Sequence, residues 1–316
     1  MLNHPSIVFS GTANPDLTQA ICSYLNVKPG QRTIERFPDG EKMIKLDSEV
    51  RGRDCFVVQP TCAPVDENLM ELLIFLDCLR RASADRVTAV VPYYGYARQD
   101  RKDAGRVPIT AKLIANIITT AGADRVLSVD MHAKQLQGFF DIPIDHLSAE
   151  PVIIDYLRQK NIDNLTVVAP DVGNIKTASR YATALGGELA IIHKRRLTGK
   201  EVLFEEIIGN VKDRNIVMVD DMISTAGTIC GAAHMVKKLG ARRILAGATH
   251  GVFSSPAVER FQSAPIDEVV VTDTIPVHEE SRQIKNLKVL SVAELLGEAI
   301  RRIHMNESVS SMFSMP

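Results

Sequence analysis

The chain has 316 residues, enough for about two domains. Hydrophobic residues make up 45% and the formal net charge is -1. Those values exclude a disordered chain, and also a global field that would recruit nucleic acid or an acidic membrane. Any anion site must therefore be local.

The opening Met1-Leu2-Asn3-His4-Pro5 has no basic region followed by an apolar stretch, so no secretory signal is expected. The apolar run from Leu72 to Leu76 falls far short of the roughly 18 residues that a membrane span needs. Cys22, Cys55, Cys62, Cys78 and Cys230 form no CxxC pair, which reads as reduced thiols in a cytoplasmic protein.

In chain order, residues 31–47 come first. Pro38-Asp39-Gly40 stands between partly alternating segments and predicts a hairpin turn. Short apolar, β-branched runs then recur. Strands are predicted at 55–58, 87–91, 126–129, 165–169, 189–192, 216–219, 244–248 and 269–272. Helices are predicted near 67–81, 110–121, 150–160, 175–185, 227–239, 255–263 and 292–304. Continuous apolar strands alternating with helices indicate an α/β fold of mostly parallel sheets covered by helices. Ala84-Asp85-Arg86-Val87, Ala123-Asp124-Arg125-Val126 and Ala241-Arg242-Arg243-Ile244 each open a strand after a helix. This echo suggests two related halves, 1–148 and 149–316.

The strongest chemical signal runs from Ile216 to Thr228. It reads as a buried strand, two carboxylates (Asp220 and Asp221), a loop of small residues and then a helix. Ligands of open α/β sheets bind outside the C-terminal strand ends. Ser224, Thr225, Ala226, Gly227 and Thr228 offer backbone N–H groups, hydroxyls and the positive end of a helix dipole to a phosphate. The two carboxylates suit the hydroxyls of a sugar that carries it. The run resembles the phosphoribosyl-diphosphate-binding signature of the type I phosphoribosyltransferase fold.

Other segments narrow the reaction. Arg98, Gln99 and Arg101 make a forked donor set on a loop after a strand, suited to polyphosphate or purine. Asp130 and His132 share one side of an extended segment and could stand beside hydrated Mg²⁺. Phe37-Pro38-Asp39-Gly40-Glu41, Tyr93 to Arg101, Asp130-Met131-His132, Gln137 to Pro143, His193-Lys194-Arg195-Arg196 and Asp220 to Thr228 together resemble the ribose-phosphate pyrophosphokinase family over nearly the whole chain.

That resemblance implies two tandem type I phosphoribosyltransferase-like domains: an N-terminal ATP-binding domain (1–148) and a C-terminal ribose 5-phosphate-binding domain (149–316). It implies a homo-oligomer, commonly hexameric, with the hairpin residues Phe37, Asp39 and Glu41 reaching the adenine of a neighbouring subunit. Arg98, Gln99, Arg101 and His132 would contact ATP. Asp220, Asp221 and Ser224 to Thr228 would hold ribose 5-phosphate. His132 and Asp171 would hold Mg²⁺ with Asp130 near it, and Lys194 and Arg196 would be the catalytic pair. The implied reaction is attack of the ribose 1-hydroxyl on the β-phosphorus of ATP, giving 5-phosphoribosyl 1-diphosphate and AMP. A regulatory paralogue of the same fold and a phosphoribosyltransferase are the alternatives.

Four positions depart from the usual family pattern: Ser224 for Asp, Asn174 for Gly, Thr177 for Arg and Gly105 for Ser. Gly105 removes a hydroxyl donor, so altered regulation by phosphate and ADP is expected.

Overall fold

Runs in which every residue is apolar leave no face for water, and such runs build the two central sheets. The computed structural model describes residues 6–198 and 201–312, except for the side chains of 194–205 and 311. The chain divides into two units. Met1–Ala149, Thr274–Pro276 and Ser291–Pro316 form the first, and Glu150–Asp273 with Val277–Leu290 the second.

The first unit runs β1 (Ile7–Ser10), α1 (Pro15–Tyr24), β2 (Arg32–Arg36), β3 (Lys42–Leu46), β4 (Asp54–Val58), α2 (Val65–Arg81), β5 (Arg86–Val91), α3 (Thr110–Ala121), β6 (Arg125–Val129) and β7 (Ile144–Leu147). The second runs α4 (Glu150–Gln159), β8 (Leu165–Ala169), α5 (Ile175–Leu185), β9 (Glu188–Thr198), β10 (Glu201–Ile208), β11 (Asn215–Ile223), α6 (Gly227–Lys238), β12 (Ile244–Gly251), α7 (Ala257–Ser263), β13 (Glu268–Thr272) and β14 (Leu287–Leu290). The last helix, α8 (Ala293–His304), returns to the first unit.

In the first unit, β1, β4, β5, β6 and β7 pair in that order, all parallel. Side chains alternate across the sheet. Phe9, Val57, Ala89 and Val126 face one way and pack on Leu72, Phe75 and Leu76 of α2 and Ile114 and Ile118 of α3. Val8, Phe56, Val90 and Leu127 face the other way. They pack on Leu17 and Ile21 of α1 and Leu296, Ala299 and Ile300 of α8. A sequential division at 148 would assign α8 to the second domain. Its apolar stripe instead completes the α1 face of the first sheet, and this burial overrides chain order.

The predicted hairpin is formed by β2 and β3, an antiparallel pair that makes its own two-stranded sheet. Gly40, at φ +96°, supplies the left-handed residue of its turn.

The second sheet has the order β10-β9-β8-β11-β12-β13-β14. All its pairs are parallel except β9 with β10. Val168, Ile216, Met218 and Ala246 pack on Ile229, Ala233 and Val236 of α6 and Phe261 of α7. Val167, Val217, Val219 and Leu245 pack on Ile153 and Leu157 of α4 and Ala178 and Tyr181 of α5. The strand predicted at 189–192 runs further in the structure, through residues 193–198. Backbone pairing with β10 continues β9 to Thr198. Among the described residues, no helix is long and apolar enough to cross a membrane.

Candidate active site

The second sheet reverses its order beside β8: the chain places β9 on one side of β8 and β11 on the other. Such a reversal opens a crevice outside the C-terminal strand ends, because the connecting segments leave in opposite directions. Three carboxylates stand there. Asp171 follows β8, and Asp220 and Asp221 lie near the end of β11.

Asp171 caps a short 3-10 turn, Val172–Asn174, with its Oδ1 accepting from the Asn174 N–H at 3.1 Å. The Asn174 side chain, 8% exposed, donates Nδ2 to the Val219 carbonyl at 2.6 Å. Asn174 thus ties the Asp171 turn to β11 one residue before Asp220. The Asp221 N–H donates to Asp220 Oδ1 at 2.9 Å, and the Met222 N–H to Asp221 Oδ1 at 2.9 Å. Burial, then the charge of Asp221 and its hydrogen bond, and last the charge of Asp171, hold the Asp220 carboxyl well above the usual carboxylate range. The crevice concentrates negative charge that a cation or a set of sugar hydroxyls would relieve.

Past β11 the chain turns through Ser224-Thr225-Ala226 into α6. Ala226 sits at φ +59°, a left-handed conformation unusual for a residue with a Cβ. It precedes α6 as N-cap, with no side-chain cap hydrogen bond. The first N–H groups of a helix have no intrahelical acceptor, so this uncapped end suits a phosphate. The N–H groups of Val252 and Phe253 both donate to the Ile223 carbonyl at 3.0 Å and anchor the loop's near end. Arg260 Nη1, from α7, donates to the Thr225 carbonyl at 2.7 Å and brings a cation to the loop. Sequence reasoning missed Arg260, because its only signal is a contact 35 residues away.

Apart from Lys194 and Arg196 on β9, the remaining expected site residues lie on the first unit. The loop after β5 is held by Tyr94, whose buried ring meets Phe140 edge-on and whose Oη donates to the Ala111 carbonyl at 2.9 Å. A Cβ on Gly95 would lie 2.5 Å from the Thr61 carbonyl oxygen, so only glycine fits there. Beyond it, Arg98, Gln99 and Arg101 are exposed. Gln99 is oriented by Thr110, whose hydroxyl donates to its Oε1. His132 is exposed, in the segment after β6. Both oxygens of Asp130 are engaged by the chain: Ser148 Oγ donates to one and the Ala149 N–H to the other, each at 2.8 Å. His146 Nε2 accepts from the Met131 N–H at 2.8 Å, a second tie on this segment that the sequence did not announce. The hairpin turn carries Phe37, 46% exposed, with exposed Asp39 and Glu41.

Of the expected metal ligands, Asp171 belongs to the second unit and Asp130 and His132 to the first. Among the described residues, no three His, Cys, Asp or Glu side chains are gathered into a ready-made metal site. Mg²⁺ still fits the donor chemistry, since it commonly takes one or two carboxylates and completes its shell with phosphate oxygens and water. The side chains of Lys194 and Arg196 lie outside the described residues. A cavity of about 860 Å³ in the second unit, lined by Ile207, Lys212, His234, Met235 and Lys238 among others, contains none of the expected site residues.

Residues 6–122 match the family model described as the N-terminal domain of ribose phosphate pyrophosphokinase. Residues 195–314 match that of the phosphoribosyl synthetase-associated domain. The chain is 57% identical over 309 residues to the ribose-phosphate pyrophosphokinase of Rhodopirellula baltica, covering 97% of this chain and 98% of that protein. It is 52% identical over 313 residues to the protein of the same name from Synechococcus elongatus, covering 98% and 94%. The crystal structure of phosphoribosylpyrophosphate synthetase from Mycobacterium smegmatis is similar with a TM-score of 0.90 at 42% identity, over 95% of this chain and 99% of that one.

Proposed function

The chain belongs to the ribose-phosphate pyrophosphokinase family, and we propose that its own residues divide the family reaction between the two units as follows. The enzyme moves the β,γ-diphosphate of ATP to the 1-hydroxyl of ribose 5-phosphate. The new bond joins O1 to the β-phosphorus, the α–β bridging bond breaks, and AMP leaves.

The second unit takes the sugar. The observation that carries this is the reversal of strand order at β8 and β11, with Asp220 and Asp221 beside an uncapped helix end. The N–H groups from Ser224 to Thr228 hold the 5-phosphate, assisted by the charge of Arg260 at the Thr225 carbonyl. Asp220 and Asp221 accept hydrogen bonds from the ring hydroxyls. This fixes the sugar's rotation and leaves O1 to react.

The first unit takes the nucleotide. Arg98, Gln99, Arg101 and His132 bind ATP, and Phe37, Asp39 and Glu41 meet the adenine of a neighbouring subunit. When bound, Mg²⁺ neutralises the polyphosphate and fixes its oxygens. Asp171 is its best-suited ligand. Asp130 already has both oxygens engaged, and the His132 imidazole is less favoured by Mg²⁺ than oxygen. Lys194 and Arg196 stabilise the charge on the transferring group. The working form is a homohexamer of the cytoplasm. The five free cysteines support the compartment, and light scattering checks the subunit number.

Calorimetric titration of the ligand-free enzyme with ribose 5-phosphate, and with ribose, tests the sugar site. The phosphorylated sugar should bind, ribose should not, and Asp221→Asn should weaken binding by about tenfold or more. Equal binding of both sugars would contradict the assignment.

A further inference from the structure

We infer that Glu71 and Lys42 are positioning residues: a buried ion pair between them sets the β2–β3 hairpin and so governs how tightly ATP is held. This rests on the proposed meeting of Phe37, Asp39 and Glu41 with adenine.

A two-stranded hairpin with five-residue strands is marginal by itself and takes its orientation from what it packs on. Here that support is α2. The hairpin's apolar side, Ile34, Ile44 and Leu46, joins the cluster that includes Leu72, Phe75 and Leu76 of α2. Apolar contact is non-directional and leaves the hairpin free to slide. A directional contact is made at the turn end of the strands. Lys42, the residue after Glu41, places Nζ 2.7 Å from Glu71 Oε2. It also donates to the Glu67 carbonyl at 3.3 Å.

Magnitudes separate this pair from its neighbour. Arg36 and Glu67 pair at 2.6 Å, but their side chains are 48% and 52% exposed. Such a surface pair contributes about 0–1 kcal/mol. The Glu71 side chain is wholly buried and that of Lys42 is 12% exposed. A buried carboxylate cannot fall back on water, so it holds its donors firmly. Glu71 has two more of them, both from Thr12: the N–H at 2.6 Å to Oε1 and the hydroxyl at 2.7 Å to Oε2. The carboxylate is thus fixed by the β1–α1 segment and holds Lys42 in turn.

The same stretch of α2 also reaches the other half of the nucleotide machinery. Asp66 accepts from the hydroxyl of Tyr96, on the loop that carries Arg98, Gln99 and Arg101. One helix therefore sets both the hairpin and the arginine loop, and neither Glu71 nor Lys42 needs to touch ATP.

The test is steady-state kinetics on the full-length oligomer for Lys42→Met, Glu71→Gln, the double variant and Phe37→Ala. Lys42→Met keeps the aliphatic stem and removes the charge. Glu71→Gln keeps an acceptor for the Thr12 N–H and turns an amide donor toward Lys42. KM for ATP should rise about tenfold in each single variant. In the same variants kcat and KM for ribose 5-phosphate should stay within about twofold, and the double variant should be no worse than the worse single one. An unchanged ATP KM in Lys42→Met, with a raised one in Phe37→Ala, would overturn the clamp and leave the hairpin's role standing. An unchanged ATP KM in Phe37→Ala would overturn both. A joint fall of kcat, both substrate affinities and melting temperature in the Lys42 and Glu71 variants would also overturn it, because that is the mark of a merely structural pair.

Discussion

Asp220→Asn should make the ligand-free enzyme more stable and the sugar site worse. In the folded chain, burial raises the Asp220 pKa above its unfolded value of 3.8, and the negative charges of Asp221 and Asp171 raise it further. The sign follows from linkage. Between 3.8 and the raised value the folded chain holds a proton that the unfolded chain has released. The stability that Asp220 contributes is therefore fully present below 3.8 and is lost as pH rises through that interval. Each unit of displacement corresponds to about 1.4 kcal/mol. Asparagine has the same shape and no charge, so it removes this loss. A one-unit displacement already predicts a melting temperature about 2–4 °C above the parent's at pH 8. Calorimetric melts at pH 5, 6, 7 and 8 without ligand would show the parent falling relative to the variant. The same variant should bind ribose 5-phosphate about tenfold or more weakly, because the amide puts an N–H donor where one carboxyl oxygen could accept from a ring hydroxyl. A variant less stable than the parent at pH 8, or a pH slope identical to the parent's, would refute the reasoning.

Asn174→Gly should lower the urea midpoint of the free enzyme by about 1–2 kcal/mol equivalent, since it strips the 2.6 Å hydrogen bond from the Val219 carbonyl and frees the Asp171 turn. Gly95→Ala should cost about 1–3 kcal/mol in a denaturant titration and raise KM for ATP, because its Cβ would push the loop of Arg98, Gln99 and Arg101 off the Thr61 carbonyl. Burial pushes the thiols of Cys22, Cys62 and Cys230 up to about 11 and that of Cys55 up to about 12. At pH 8 these four should resist iodoacetamide in the native enzyme and react after denaturation in urea, as read by mass spectrometry.

The long apolar strands were legible because burial on both faces writes an unbroken run: β4, β5, β6, β8 and β12 fall within a few residues of their predicted limits. So was α3, expected at 110–121 and observed at Thr110–Ala121. The strands that escaped are short or lie near a sheet edge. β7, Ile-Asp-His-Leu, and β14, Leu-Lys-Val-Leu, are mostly half-buried or exposed, and carry no continuous apolar signal. The amphipathic pattern of α8 announced a helix but could not say which sheet would receive it. The strand–loop–helix form of the segment around Asp220 to Thr228 could be read because it is local in sequence. Arg260, Glu71 and Asn174 could not, since their partners lie 35, 29 and 45 residues away and only folding brings them together. Asn174 stood out in the sequence as a departure from family habit. The structure gives that departure a job, as the tie between the Asp171 turn and β11.

The most direct measurement incubates the purified protein with MgATP and ribose 5-phosphate and follows the nucleotide and sugar products together. AMP and 5-phosphoribosyl 1-diphosphate should form in equal amounts, and neither should form when ribose replaces its phosphate ester. ADP in place of AMP, or no turnover by folded enzyme, would contradict attack at the β-phosphorus by a sugar held between β8 and β11.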